Sequence, residues 1–316
     1  QTCIFSKKFC KTFDKHPLTC YIINITNKEV PMGGNIFKNK ATSISIENIQ
    51  PTIDAYKRRL GEIFPMKAQA FNFFEPVGSA GKKPVSGDLD LAIDSTHIVR
   101  GFLESEIQMW GLDHDEWYEK YRKIHKRARS ATYDMCKMRA LLIMIAEKLQ
   151  DNGIDAEVKK TTAGNIFTCF PQYNPDGQPT GDYIQIDWMV GDIDWLRWAY
   201  YSHGEEGLKG LHRTQFLVAC FSSFGMTFNH FSGIKTKGET EWEITSPSEA
   251  IDQLSQKFGD LTTEQTKTFR DLHSWLLENA SKDDYVDVAT RYSKIIKLAK
   301  ADLPDEIKQG ICYYLH

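Results

Sequence analysis

The stretch GSAGKKPVSGDLDLAI, residues 78–93, joins a loop of small and basic residues to a short run that carries two acids. The alternation of Asp88 and Asp90 with leucines predicts a strand, because successive side chains of a strand face opposite sides of the sheet. The two aspartates then share one face while the leucines point into the core. Two carboxylates held this close repel each other unless a cation lies between them. Because oxygen ligands suit Mg²⁺ or Mn²⁺, the pattern predicts a divalent metal site.

The loop before these acids has the composition of a phosphate-binding turn. Gly78 and Ser79 follow the phenylalanine-rich run 68–77, which we interpret as a buried strand. Backbone N–H groups in such a turn can approach phosphate oxygens closely, and Lys82 and Lys83 add positive charge. The loop and the acids together predict a site that holds a nucleoside triphosphate on metal.

Asp187 is the candidate for a third carboxylate. In the strand YIQIDWMV it shares one face with Gln185 and Met189, and a lone acid in an apolar strand is costly to bury without a partner. If this strand lies beside 88–93, Asp187 completes a metal-binding triad. Asp-x-Asp also occurs at 113–115 and 192–194, but without a preceding strand and Gly-Ser turn, so we interpret these as a helix N-cap and a post-strand turn.

The rest of the chain predicts a mixture of strands and helices. We expect a helix at 49–64, with Asn48 as its N-cap and Pro51 in its first turn, and one long helical region over 113–151. The runs 165–173 and 183–190 flank turn residues and predict a β-hairpin. Further elements are predicted as a strand at 154–160, a linker at 231–248, and helices at 193–203, 211–222, 248–258, 263–279, 283–300 and 304–315.

Composition favours a cytoplasmic globular protein. The chain has 316 residues, a net charge of −3 and 41% hydrophobic residues. No apolar run approaches the roughly 18 residues of a membrane span, so no membrane partner is expected. The seven cysteines are an odd number and mostly scattered, which favours free thiols. The cluster Cys3, Cys10, His16 and Cys20 lacks the close cysteine pair of structural zinc sites, so we expect no zinc there.

The three acidic positions and the loop resemble the nucleotidyltransferase superfamily typified by DNA polymerase β. Its motif is a strand ending in Gly-Ser, then Asp-x-Asp, with a third aspartate on a later strand; Gly78-Ser79, Asp88-x-Asp90 and Asp187 match it. The text VSGDLDL is most like the family X polymerases. The segment WAYYSHGEEGLKGLHR, residues 198–213, resembles the aromatic segment that packs beside their incoming nucleotide.

That resemblance implies an α+β fold, with a nucleotidyltransferase palm of mixed β-sheet and flanking helices and a helical C-terminal subdomain. We therefore divide the chain into an N-terminal extension (1–31), a catalytic domain (32–232) and a helical domain (233–316). The implied reaction moves a nucleoside monophosphate from a triphosphate such as ATP to an acceptor hydroxyl and releases pyrophosphate. Asp88 and Asp90 would hold two Mg²⁺ ions, with Asp187 on one of them, and Tyr200 and Tyr201 would flank the base or sugar.

The acceptor is open at this point. The segment 120–139 carries eight lysines and arginines against one aspartate, and we interpret it as a basic helix for RNA or single-stranded nucleic acid. This favours transfer to a nucleic-acid 3′ end. The acidic net charge and the absence of a helix-hairpin-helix glycine motif favour a small-molecule or protein acceptor, as in antibiotic-modifying or toxin-like enzymes. An inactive nucleotide-binding relative is the third alternative.

Overall fold

The computed structural model describes residues 36–37, 39–128, 132–158, 165–203 and 208–315, with only the backbone of 311–315. The predicted N-terminal extension and its cysteine cluster lie outside the described residues. Within those ranges no helix combines the length and the apolar character needed to cross a membrane. The thiols of Cys136, Cys169 and Cys220 are free and buried.

The fold is a mixed α+β arrangement. The strands are β1 (Ile44–Ser45), β2 (Glu75–Val77), β3 (Val85–Ser86), β4 (Leu89–Asp94), β5 (Asp155–Glu157), β6 (Asn165–Tyr173), β7 (Pro179–Gly191), β8 (Met226–Asn229) and β9 (Gly233–Thr236). The helices are α1 (Ile46–Ile63), α2 (Ser95–Ile98), α3 (Glu104–Met109), α4 (His114–Arg127), α5 (Tyr133–Asp151), α6 (Ile193–Ala199), α7 (Leu211–Ser223), α8 (Pro247–Phe258), α9 (Phe269–Asn279), α10 (Lys282–Leu298) and α11 (Asp305–Leu315). Two 3₁₀ helices span Pro65–Phe73 and Glu264–Thr266.

A five-stranded mixed sheet in the order β2-β4-β7-β6-β5 organises the part of the chain that carries the motif. β6 and β7 form the predicted antiparallel hairpin, and β4 pairs with β7 in parallel. The remaining neighbours in this sheet are antiparallel. The parallel pairing sets Asp90 directly beside Asp187 in register, on one face of the sheet. The structure thus confirms that the strand of Asp187 lies beside the strand of Asp90.

The opposite face of the sheet is closed by helices. Leu89, Leu91, Ile186 and Trp188 are fully buried there in a core shared with α1, α5 and the 3₁₀ helix Pro65–Phe73. The Trp188 indole N–H donates to the Tyr56 hydroxyl on α1, 2.6 Å away, so the one polar atom of this side chain is satisfied. Strand alternation therefore leaves the face of Asp90 and Asp187 outside this core.

A second core gathers the later helices. It runs from Trp195 to Ile307 and includes Phe216, Leu254 and Trp275. The β8–β9 hairpin contributes Phe228 and Ile234 to it. The helices α6 and α7, which follow the strand of Asp187, pack in this core rather than on the back of the five-stranded sheet.

The prediction of a buried strand over 68–77 is wrong for most of its length. Residues 65–73 form a 3₁₀ helix opened by Pro65, and only Glu75–Val77 is a strand. Phe71 and Phe74 pack on the edge of the Trp188 ring, with centroids 6.0 and 4.9 Å away. These aromatic contacts outweigh the strand propensity of phenylalanine, which depends strongly on context.

The long helix predicted over 113–151 is also wrong, because the structure has two helices. α4 ends at Arg127, where the extended backbone of Ala128 follows, and Thr132 caps α5 by accepting from the Met135 N–H at 3.3 Å. The segment 120–139 is consequently not one basic helix: it spans the end of α4 and the start of α5. Asp113 caps α4 as predicted, accepting from the Glu116 N–H at 2.8 Å.

Other boundaries differ from the predictions. The first helix begins at Ile46, so Ser45 rather than Asn48 is at its N-cap and Pro51 lies inside it. The predicted linker 231–248 contains β9, which pairs with β8. The helix predicted at 193–203 ends at Ala199, and the helix predicted at 263–279 is a 3₁₀ turn followed by α9. Asp192 caps α6 by accepting from the Trp195 N–H at 2.9 Å, which fits its interpretation as a post-strand turn.

Candidate metal and phosphate site

Three carboxylates meet on the face of the sheet opposite the first core, beside a small cluster in which Ala92 and Met189 pack against Leu196 of α6. Asp88 directly precedes β4, Asp90 lies on β4, and Asp187 lies on the neighbouring strand β7. One carboxylate oxygen from each lies within 4.8 Å of the others, close enough for a shared metal ion. Asp187 is buried, whereas Asp88 and Asp90 are partly open to solvent. The three aspartates predicted from the sequence are therefore brought together.

The electrostatics of this cluster disfavour three bare negative charges. The pKa of Asp90 lies well above its ordinary value, first because the side chain is desolvated and then because Asp88 and Asp187 are negative. A bound cation would offset both effects, because it would compensate the negative charge of the three carboxylates. Three oxygen donors of this kind are the ligand chemistry of Mg²⁺ and Mn²⁺, so the residues present fit such an ion.

Gln185 holds Asp187 in place, and the sequence analysis did not single it out. Its side chain is 1% exposed, and its amide nitrogen donates to Asp187 Oδ1 at 2.8 Å. Its amide oxygen accepts from the Ile36 backbone N–H at 3.1 Å. The sequence did indicate a contact between the two side chains, because Gln185 is two residues from Asp187 and lies on the same face of an apolar strand.

The Gly78 turn fits tightly over Asp90. Gly78 has φ +68°, and its N–H donates to the Tyr200 carbonyl at 3.1 Å. A methyl group in place of its hydrogen would lie 2.6 Å from Asp90 Oδ2. Only glycine combines this backbone conformation with the close approach of a carboxylate. Ser79 follows in the same turn and is half-buried.

Of the two predicted phosphate ligands, Lys82 has the defined position. Its ammonium group donates to the Gly78 carbonyl at 3.0 Å and lies 4.5 Å from the centre of the Tyr201 ring. Burial lowers the pKa of Lys82, and the positive charge of Arg213 lowers it further. Lys83, by contrast, is half-buried and has no ion pair with any residue in the described ranges.

Arg213 on α7 is a site residue that the sequence analysis missed. It is 2% exposed, and its guanidinium carbon lies 5.7 Å from the Tyr201 ring and 5.3 Å from the Trp198 ring. Its Nε donates to the Thr266 carbonyl, which orients the side chain. Tyr201 thus lies near two cations, Lys82 and Arg213. The sequence indicated this role only through the presence of a single arginine in the apolar helix LHRTQFLVACFSS, since arginine is rarely fully buried unless it is paired.

The two tyrosines predicted beside the nucleotide have different surroundings. The pKa of Tyr200 is raised, chiefly by burial and then by the negative charges of Asp90 and Asp187. Its ring packs near His230 and Phe231, with centroids 5.5 and 5.7 Å away. Tyr201 instead faces the two cations. Tyr200 therefore adjoins the carboxylates, and Tyr201 adjoins the glycine-serine loop.

The site combines an acidic cluster with a cationic rim. Its acidic half is Asp88, Asp90 and Asp187, and its cationic half is Lys82 and Arg213, both near the ring of Tyr201. Such an arrangement can bind a metal ion and an anionic group next to each other.

No model of a known protein family matches this chain, and no curated protein sequence matches it.

Proposed function

We propose that this chain is a metal-dependent nucleotidyltransferase that moves a nucleoside monophosphate from a triphosphate to an acceptor hydroxyl. The observation that carries the proposal is the convergence of three carboxylates from two parallel strands beside a Gly-Ser turn. The mixed sheet around them is then the palm of a polymerase β-like enzyme. Mg²⁺ or Mn²⁺ held by Asp88, Asp90 and Asp187 would neutralise the phosphate oxygens and acidify the acceptor hydroxyl.

The residues of the chain supply binding and orientation. The turn that Gly78 opens would hold the β and γ phosphates through the backbone N–H of Ser79 and the ammonium group of Lys82, and Arg213 would add charge near Tyr201. Asp187, oriented by Gln185, would accept the hydrogen bond of the attacking hydroxyl. The hydroxyl oxygen forms a bond to the α-phosphorus, the bond to the β-phosphate oxygen breaks, and pyrophosphate leaves. Catalysis is mostly positioning and charge neutralisation.

A nucleic-acid 3′ end is the acceptor that the charge distribution favours. Eight of the chain's 39 lysines and arginines fall within 20 residues, 120–139, although the chain as a whole is acidic. Lys120, Arg122 and Lys137 pair with acids of α4 and α5. Lys123, Lys126 and Arg127 are exposed and have no ion pair among the described residues, which favours contact with phosphates.

The test is label transfer from α-³²P-labelled ATP, CTP, GTP and UTP to single-stranded RNA, single-stranded DNA or no added acceptor. We expect Mg²⁺-dependent transfer to nucleic acid, and its loss by at least about 100-fold in Asp88→Asn, Asp90→Asn and Asp187→Asn. Asp115→Asn is the matched control, because Asp115 belongs to an Asp-x-Asp run whose carboxylate is exposed and outside the site. Full activity of Asp90→Asn would contradict the mechanism, and transfer without nucleic acid would move the acceptor to a small molecule or protein.

A further inference from the structure

The corner between α4 and α5 carries a continuous row of aromatic rings. Phe102 stacks on Trp117, with centroids 5.7 Å apart and planes at 4°. Tyr121 and His125 continue the row, with successive centroids 6.0 and 5.8 Å apart. Tyr133, at the start of α5, stacks on His125 at 4.6 Å. The row therefore crosses from α4 to α5, past the break between the two helices.

The row runs from the core to the surface. Trp117 is 3% exposed and its indole N–H donates to the Lys137 carbonyl, so this end is fixed. Tyr133 at the other end is 63% exposed, and Tyr118, whose ring lies 5.9 Å from that of Tyr121, is 47% exposed. Because His125 covers one face of Tyr133, the exposed area belongs to its other face and edge. The corner thus presents a rigidly supported ring surface to solvent.

Positive charge lies on the exposed side of α4 next to this surface, and the acids that follow Tyr118 and Tyr133, Glu119 and Asp134, pair with Arg122 and Lys137. From Lys120 to Arg127 the chain has five basic residues and no acid. Lys120 and Arg122 pair with glutamates. Lys123, Lys126 and Arg127 are exposed and have no ion pair with any residue that the structure describes. Basic residues at a helix C-terminus also complement its dipole, but that effect is confined to the last turn and does not account for exposed rings beside them.

We propose that this corner, formed by Tyr118, Tyr121, His125 and Tyr133 with the basic residues of α4, binds single-stranded nucleic acid. Bases stack on the open rings of Tyr133 and Tyr118, and phosphates contact Lys126 beside the row and Lys123 further round the exposed side of α4. Stacking accepts any base but requires that the base be unpaired, so a duplex cannot use these rings. Strand binding at this corner does not rest on the proposed function.

The test measures binding separately from chemistry. Fluorescence anisotropy of labelled single strands of roughly 20 nucleotides is recorded with the full chain in EDTA at about 50 mM salt. We expect Tyr133→Ala to weaken binding about tenfold or more, and Tyr133→Phe to bind like the wild type because the ring is kept. The double variant Lys123→Ala/Lys126→Ala should weaken binding and make the salt dependence shallower by about 0.7 in log–log slope for each lost contact.

The chain offers matched controls. Phe73 is also exposed and stacks on a histidine, His97, at 3.7 Å, so Phe73→Ala removes an equivalent ring elsewhere. Lys294 and Lys297 on α10 are exposed, so Lys294→Ala/Lys297→Ala removes the same charge from another surface. Both controls should bind strands like the wild type. Far-UV circular dichroism and the unfolding temperature verify that each variant is folded.

The outcomes separate this inference from the proposed function. Strand binding that depends on Tyr133 and persists in Asp90→Asn supports the corner even if no nucleotide transfer is found. The inference is overturned if the wild type binds no single strand, if a duplex of the same sequence binds equally tightly, or if Tyr133→Ala binds like the wild type.

Discussion

At Gly78 the backbone and a neighbouring carboxylate impose the same requirement. The positive φ of this residue disfavours any side chain, and the space beyond its Cα is occupied by Asp90 Oδ2. Gly81 in the same loop also has a positive φ, +73°, but a methyl group there would meet nothing within 4 Å. The two glycines therefore differ in the contact with Asp90, and also in that Gly78 is buried and hydrogen-bonded to Tyr200 whereas Gly81 is exposed.

This difference predicts separate effects for two alanine substitutions. Gly81→Ala should cost roughly 1–2 kcal/mol of unfolding free energy from backbone strain and leave nucleotide transfer within a few-fold. Gly78→Ala would cause the same backbone strain and would also displace Asp90, so the rate of nucleotide transfer should fall by about 100-fold or more. Urea unfolding and transfer assays on both variants provide the measurement. Equal activity of the two would show that the contact with Asp90 has no role.

The loop 78–83 gains its shape from the elements packed around it. Its first residue is bonded to the carbonyl of Tyr200, at the end of α6, and Lys82 folds back onto Gly78 and over Tyr201. Arg213 on α7 approaches the same ring. Two cations this close disfavour each other, and a bound triphosphate would relieve that repulsion. Lys83 is adjacent in sequence and has no such position.

Lys82→Ala and Lys83→Ala therefore form a matched pair. We expect Lys82→Ala to raise the KM for the nucleoside triphosphate about tenfold, because a charge-assisted contact to phosphate is lost. Lys83→Ala should change KM by less than about twofold. Steady-state kinetics with varied triphosphate at saturating acceptor distinguishes them. An equal rise in KM for both variants would mean that the loop acts through net charge rather than through one placed ammonium group.

The free energy of unfolding depends on pH through two kinds of group, a desolvated carboxyl and desolvated histidines, whose effects have opposite signs. The pKa of Asp90 is raised above 3.8, so above that pH the folded protein keeps a proton that the unfolded chain has released, and the free energy of unfolding falls as pH rises through this window. Burial lowers the pKa of His230 from 6.5 to about 4, and burial also lowers that of His273. Below pH 6.5 the unfolded chain binds protons that these histidines do not, so acid also destabilises the fold.

In EDTA we therefore expect two opposing contributions to the free energy of unfolding: that of Asp90 falls as pH rises above 3.8, and that of His230 rises between about pH 4 and 6.5. Mg²⁺ binds the ionised carboxylates, so it should raise stability more at about pH 8.5 than at about pH 5.5. Asp90→Asn should remove the falling contribution and reduce the Mg²⁺ effect, whereas His230→Asn should reduce the rising contribution alone. Urea unfolding across this pH range is the measurement. An equal Mg²⁺ effect at every pH would contradict the linkage to Asp90.

The parts of the molecule that the sequence predicts correctly are those set by local periodicity. Alternation places Asp88 and Asp90 on one face, and the turn residues between 173 and 183 specify the β6–β7 hairpin. Where local preference and packing compete, the prediction fails. Phenylalanines at 71–74 favour a strand but form a 3₁₀ helix against Trp188, and the helix over 113–151 is interrupted where Thr132 starts a new one.

The sequence by itself determined that two carboxylates, one just before β4 and one on it, follow a glycine-serine turn, because a period of two and a preference for positive φ are local properties. Only the tertiary structure decided that Asp187 lies beside Asp90, since β4 and β7 are about a hundred residues apart and pair through long-range hydrogen bonds. It also decided that Arg213 reaches Tyr201 and that Tyr133 stacks on His125. These contacts depend on how helices pack, and the free energy of packing is not encoded in any single stretch of the chain.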